Sequence, residues 1–155
     1  MSWTDLISIN TIDNLRKEFK IETFVETGTF KGVNAECYSH FFDKVVTCEI
    51  SQEYTEKAFK RLNNKPNVAV VCEPSKQFLS GFDKWQNYLY YLDAHFYNPK
   101  LPKNKRFVVL DELEALEDHK ESIIVVHDFD NGKLGHITYD GIPLNLELLK
   151  KDLLK

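Results

Sequence analysis

Hydrophobic and polar positions along the chain follow two alternating periods. Short apolar runs at residues 22–26, 44–50, 68–73, 88–93 and 123–128 have strand length and are rich in β-branched and aromatic residues. Between them the apolar residues fall at helical spacing. Ile12, Leu15 and Phe19 share one face behind Asn10 and Thr11, either of which can cap a helix. Ala35, Tyr38, Phe41 and Phe42 mark a second helix over 33–42, and Tyr54, Ala58 and Leu62 a third over 52–62, which Pro66 stops. Residues 75–79 predict a shorter helix ending near Gly81, and Val109, Leu113 and Leu116 a further one over 108–118. Five nearly continuous apolar strands alternating with amphipathic helices predict an α/β fold, with a mostly parallel central sheet and helices on both faces.

Composition narrows the class. At 155 residues and 43% hydrophobic content the chain suits a single domain, 1–155, with one real core. A formal charge of −4 lacks the basic surplus of a nucleic-acid or anionic-membrane binder. Cys37, Cys48 and Cys72 are odd in number, widely spaced and set in apolar segments, so they are expected to be buried reduced thiols. Neither an apolar run of about 18 residues nor a charged-then-apolar leader is present, which predicts a cytoplasmic protein without a membrane partner.

Candidate chemistry collects at one edge of the predicted sheet. In an open parallel sheet, ligands lie beyond the carboxyl ends of the strands, and all five runs end in an acid: Glu26, Glu49, Glu73, Asp93 and Asp128. Carboxylates gathered this way repel one another unless a cation or hydrogen-bond donors compensate them. The first strand breaks at Glu26 into a turn with the pattern E-x-G-x-x-x-G, through Gly28 and Gly32. Glycine lets the backbone turn there and approach a ligand closely. Phe30 stands where a dinucleotide fingerprint would need glycine, so a ligand with hydroxyls and an ammonium group fits better than a pyrophosphate.

Glu26-Thr-Gly-Thr-Phe-Lys-Gly32, with Glu49 about twenty residues further on, resembles the class I S-adenosylmethionine-dependent methyltransferases. The resemblance implies a Rossmann-like sheet and a first loop, Glu26, Thr27, Gly28, Thr29 and Gly32, that holds the methionine part of the cofactor. It implies that Glu49 holds the ribose hydroxyls. Cys72-Glu-Pro-Ser75 is similar to the adenine-contacting segment, with Pro74 in place of an acid or polar residue and Ser75 as the adenine contact ahead of Glu73. The second half is similar to metal-assisted, macrocin-type sugar O-methyltransferases, through Leu92-Asp-Ala-His95, Asp111-Glu-Leu-Glu-Ala-Leu116 and Val126-His-Asp-Phe-Asp130. It also implies Asp93 as a cofactor contact. Asp93-Ala-His-Phe96 is no N-P-P-[YF] tetrapeptide, which argues against base methylation of nucleic acid.

Methyl transfer to a hydroxyl needs in-line placement and removal of the hydroxyl proton. A divalent cation such as Mg2+ acidifies a hydroxyl it coordinates and takes oxygen ligands, for which Asp93 and Asp128, then Asp130, are the candidates. His95 or His127 is the candidate general base, each beside a strand-end aspartate. Lys100, Lys103, Lys105 and Arg106 sit in the loop after the fourth strand, where they can recruit an anionic acceptor or serve solubility alone. Trp85, Tyr88, Tyr90 and Tyr91 are expected to be mostly core or edge packing.

Past Asp130 only 25 residues remain. Residues 135–141 predict one extended segment and 144–154 a lysine-tipped helix, leaving none of the antiparallel hairpin usual to the fold. His136 and Tyr139 are candidates for the crevice mouth, and a second copy of the chain is a candidate to complete the acceptor pocket. The expected activity is S-adenosylmethionine-dependent O-methylation of a small, sugar-like or anionic acceptor. Two alternatives stand beside it: a cofactor-binding subunit without transfer activity, and a metal-dependent hydrolase using the acidic edge.

Overall fold

The computed structural model describes residues 8–94, 100, 107–127, 129, 138–139, 142–145, 147–148 and 150. The elements are α1 (Ile9–Glu18), β1 (Thr23–Thr27), α2 (Val33–Tyr38), β2 (Lys44–Glu49), α3 (Gln52–Leu62), β3 (Val68–Cys72), α4 (Ser75–Leu79), β4 (Tyr88–Leu92), α5 (Val108–Ala115), β5 (Ile123–Val126), β6 (Thr138–Tyr139) and β7 (Ile142–Pro143). Strands β1 to β5 form one sheet in the order β3-β2-β1-β4-β5, and every pairing in it is parallel.

Alternation along the strands divides the core. Phe24, Val45, Leu89 and Tyr91 pack with Ile12, Ala35, Tyr38, Ala58 and Leu62 of α1, α2 and α3. Val25, Val46, Cys48, Tyr90 and Leu92 pack with Phe78, Leu79, Val109 and Leu110 of α4 and α5 and with Leu116 just past α5. The chain winds outward from β1 to β3 with α2 and α3 as crossovers, then returns to the other side of β1 through α4. A ligand crevice belongs where that order reverses, beyond the carboxyl ends of β1 and β4.

Local chemistry sets the element limits. Ser51 caps α3, its hydroxyl accepting from the Tyr54 amide. Helix α2 ends at Tyr38, four residues short of the spacing-based limit, because the Phe41 and Phe42 amides both turn back to the Tyr38 carbonyl. Helix α5 ends at Ala115, where the amides of Leu116 and Glu117 tighten onto Leu113 and Glu114.

Two expectations need correction. Cys48 is buried as expected and Cys37 partly so, but Cys72 is exposed, since β3 is an edge strand. Among the described residues the main sheet carries no antiparallel strand; β6 and β7 pair antiparallel, Thr138 opposite Pro143 and Tyr139 opposite Ile142, as a small two-stranded unit separate from it, where one extended segment over 135–141 was expected. Beyond β7 Leu144 is buried in the core, and Asn145 Oδ1 accepts the Leu148 amide as a helix N-cap does. Tyr88, Tyr90 and Tyr91 are core residues, whereas Trp85 is 80% exposed. Among the described residues no helix is long and apolar enough to cross a membrane.

Candidate functional site

The loop between β1 and α2 is fastened to β2 by three successive amides. Gly28 and Thr29 both donate to the Cys48 carbonyl, at 2.9 and 3.0 Å, and Phe30 donates to Glu49 Oε2 at 2.8 Å. Glu49 Oε1 takes the Ser51 amide at 3.0 Å, so both oxygens of this strand-end carboxylate hold backbone in place. The path requires left-handed φ at Gly28 (81°), Phe30 (49°) and Gly32 (74°). At Gly28 the requirement is also steric, because a Cβ there would lie 2.5 Å from the Asp93 carbonyl oxygen. The first loop and the end of β4 therefore touch backbone to backbone. At Gly32 a Cβ would meet Leu62 Cδ1 at 3.0 Å, where the start of α2 packs on α3.

Glu26 lies one residue inside β1 and is only 1% exposed. It stands opposite Thr47 in the β1–β2 register. Thr47 Oγ1 donates to its Oε2 and Asn34 Nδ2 to its Oε1, each at 2.7 Å, and Thr47 Oγ1 lies 2.5 Å from Thr29 Oγ1. Burial pushes the Glu26 carboxyl up to about 8; the Thr47 and Asn34 hydrogen bonds oppose the rise, and the charges of Asp93 and Glu49 add to it.

At β4, the Asp93 amide donates to Thr27 Oγ1 at 3.2 Å. Asp93 Oδ1 lies 2.9 Å from His127 Nδ1, with the two side chains 21% and 14% exposed. The His127 amide extends the β4–β5 ladder to the Leu92 carbonyl, which brings the imidazole beside the aspartate. Thus Glu26, Thr27, Gly28, Thr29, Gly32, Glu49, Asp93 and His127 do gather at the carboxyl ends of β1, β2, β4 and β5. Ser75 is buried at the first position of α4, following the edge strand β3. His95, Asp128 and Asp130 lie outside the described residues, as do Lys103, Lys105, Arg106, His136 and the Tyr139 side chain. Among the described residues no group of three His, Cys, Asp or Glu side chains is placed to hold a metal ion.

Sequence reasoning did not single out Asn34, Thr47 or Glu112. Glu112 is fully buried on α5. Its spacing of three and four from Val109 and Leu116 puts it on the sheet-facing stripe, and that was the available signal. An aromatic pair, Phe30 and Tyr54, with ring centroids 4.4 Å apart, flanks Glu49 together with the exposed Ile50.

No protein-family model matches the chain, and no curated protein is similar to it in sequence. Solved structures do match it. Over 94% of this chain and 78% of that one, it superposes on the methyltransferase domain of bacterial CtHen1, with a TM-score of 0.57 at 13% identity. A Streptococcus mutans protein described as a methyltransferase and solved with SAH matches over 91% of this chain and 77% of its own, with a TM-score of 0.53 at 12% identity. An rRNA methylase from Streptococcus thermophilus matches over 81% and 74%, with a TM-score of 0.53 at 15% identity. The chain has the Rossmann-like methyltransferase fold. Among the solved chains compared, it spans 36% of one, a 23S rRNA methyltransferase, and 78% of the CtHen1 domain. In this fold the loop after β1 and the acid ending β2 are Gly28 to Gly32 and Glu49.

Proposed function

We propose that the chain binds S-adenosylmethionine over the carboxyl ends of β1 and β2 and transfers its methyl group to an oxygen of a small acceptor. The observation that carries this reading is the first loop itself, pinned by consecutive amides to β2 and to Glu49. A loop held this way is preorganised, so little ordering opposes binding. Glu49 supplies acceptors for a vicinal diol. Glu49 and Asp93 add negative charge to the mouth, and Glu26 beside them is a latent third carboxylate, which suits a ligand carrying a sulfonium and an ammonium and disfavours a polyphosphate. The acidic mouth and the net charge of −4 equally favour a small acceptor over a nucleic acid.

The bound cofactor supplies an electrophilic methyl carbon whose bond to sulfur breaks, with its electron pair, as the acceptor oxygen attacks. The chain must position that oxygen and remove its proton. Asp93 Oδ1 lies 2.9 Å from His127 Nδ1, close enough to attract the ring when it takes up a proton, and His127 is the candidate base. His95 remains a second candidate base. Asp93, with Asp128 and Asp130, would supply the oxygen ligands of a divalent cation, which would acidify the acceptor hydroxyl.

Calorimetric titration tests the reading. S-Adenosylmethionine and S-adenosylhomocysteine are expected to bind at micromolar Kd. Loss of a charge-assisted pair of hydrogen bonds weakens binding by roughly 10- to 100-fold, so Glu49→Ala and Glu49→Gln, whose NH2 cannot accept the Phe30 or Ser51 amide, should both show that loss. Absence of binding by the wild type, or unchanged affinity in both variants, would overturn the assignment.

A further inference from the structure

Behind the first loop lies a buried polar chain that ligand contact does not require. Thr47 has one hydroxyl hydrogen, and in donating it to Glu26 Oε2 it can only accept at the 2.5 Å contact with Thr29. Thr29 is therefore the donor there, and Asn34 donates to the other carboxyl oxygen. With the carboxyl ionised, all three hydrogen bonds run toward Glu26; protonated, Glu26 gives its own O–H to Thr47 Oγ1, which then turns its hydrogen to Thr29.

The surroundings act the other way. Tyr38 faces Glu26 from α2, Cys48 and Glu49 from β2, and Asp93 from the end of β4, with Tyr91 its register neighbour and His127 beyond Asp93. The buried residues of α3 are Thr55, Ala58 and Leu62, none of which titrates near neutrality. Apart from His127, the groups facing Glu26 are acids or weak acids, and burial holds its carboxyl protonated at pH 7. The donors are thus built for a charge that burial by itself opposes.

We propose that Thr47 and Asn34 are positioning residues that let Glu26 ionise when a cationic ligand enters the mouth, so that binding releases a proton to solvent. This rests on the sulfonium-cofactor reading above and adds the linkage to it. The Thr29–Thr47 contact ties the same event to the first loop, since Thr29 also fixes that loop through its amide to Cys48.

The test is titration of S-adenosylmethionine at pH 7 in buffers of differing ionisation enthalpy, which counts protons exchanged. The wild type is expected to release close to one proton per ligand. In Thr47→Val the count should fall by at least half and the affinity about 5- to 10-fold, with Thr47→Ser restoring both and Asn34→Ala repeating the loss. A merely structural role would lower affinity and leave the count unchanged. Binding without buffer dependence, or an equal count in Thr47→Val, overturns this inference alone. No binding at all overturns the cofactor reading with it. Carboxyl 13C titration of Glu26 in the ligand-free protein is a check independent of the cofactor: Thr47→Val should shift the titration to higher pH, and an unshifted curve contradicts the role given to Thr47.

Discussion

Gly28→Ala is expected to lower the melting temperature by roughly 10 °C and to abolish measurable cofactor binding. Two effects combine at this residue. The φ of 81° is a left-handed conformation that a β-carbon disfavours by about 1 to 2 kcal/mol. The new Cβ would also lie 2.5 Å from the Asp93 carbonyl oxygen, a backbone atom that cannot rotate away. Relief requires the first loop and the end of β4 to separate, which breaks the amide contacts to Cys48 and Glu49 that shape the site. A total near 3 kcal/mol corresponds to that temperature shift in a chain of this size. Thermal unfolding followed by circular dichroism checks it; a shift below about 3 °C would show that the loop does not hold this close approach. Gly32 is more forgiving, since its nearest obstacle is the end of a leucine side chain.

The second large effect is one of pH. Glu26 titrates near its ordinary 4.5 when the chain is unfolded and at about 8 when burial protects its proton in the fold. Between those values the folded protein binds a proton that the unfolded chain has lost, so stability falls as pH rises from about 4.5 to about 8 and levels off above. At about 1.4 kcal/mol per unit of pKa the change is several kcal/mol. Glu26→Gln removes it while keeping the shape: the amide oxygen accepts from Asn34, and its NH2 donates to Thr47. The variant should melt within about 2 °C of wild type at pH 5 and several degrees above it at pH 8.5, with weaker cofactor binding. Parallel pH profiles for the two proteins would contradict the buried, raised carboxyl.

Much of this arrangement was legible in the sequence because strand ends announce themselves. An apolar run that stops at an acid places that acid at the sheet edge, and this brought Glu49, Asp93 and His127 into view before any coordinates. Glu26 was visible as a site residue but not as a buried one. A strand that continues through Thr27 turns Glu26 inward, toward α2. Its partners were not legible. Thr47 reaches it through cross-strand register, and Asn34 through the angle at which α2 leaves the loop. Neither is encoded in local spacing. Cys72 was misplaced for a related reason, since its apolar neighbours say nothing about which strand ends up at an edge. The small β6–β7 pair escaped because two-residue strands have no period to detect. Asp128, itself a strand-end acid, and His95 and Asp130, two residues beyond strand-end acids, lie outside the described residues.

The most direct test of the account is a crystal of the protein grown with saturating S-adenosylhomocysteine. The ligand is expected across the carboxyl ends of β1 and β2, with its ribose hydroxyls on Glu49 and its amino-acid end at the loop of Gly28 to Gly32. Ligand density at another place on the molecule, or none at saturation, would contradict the assignment of this sheet edge as a cofactor site.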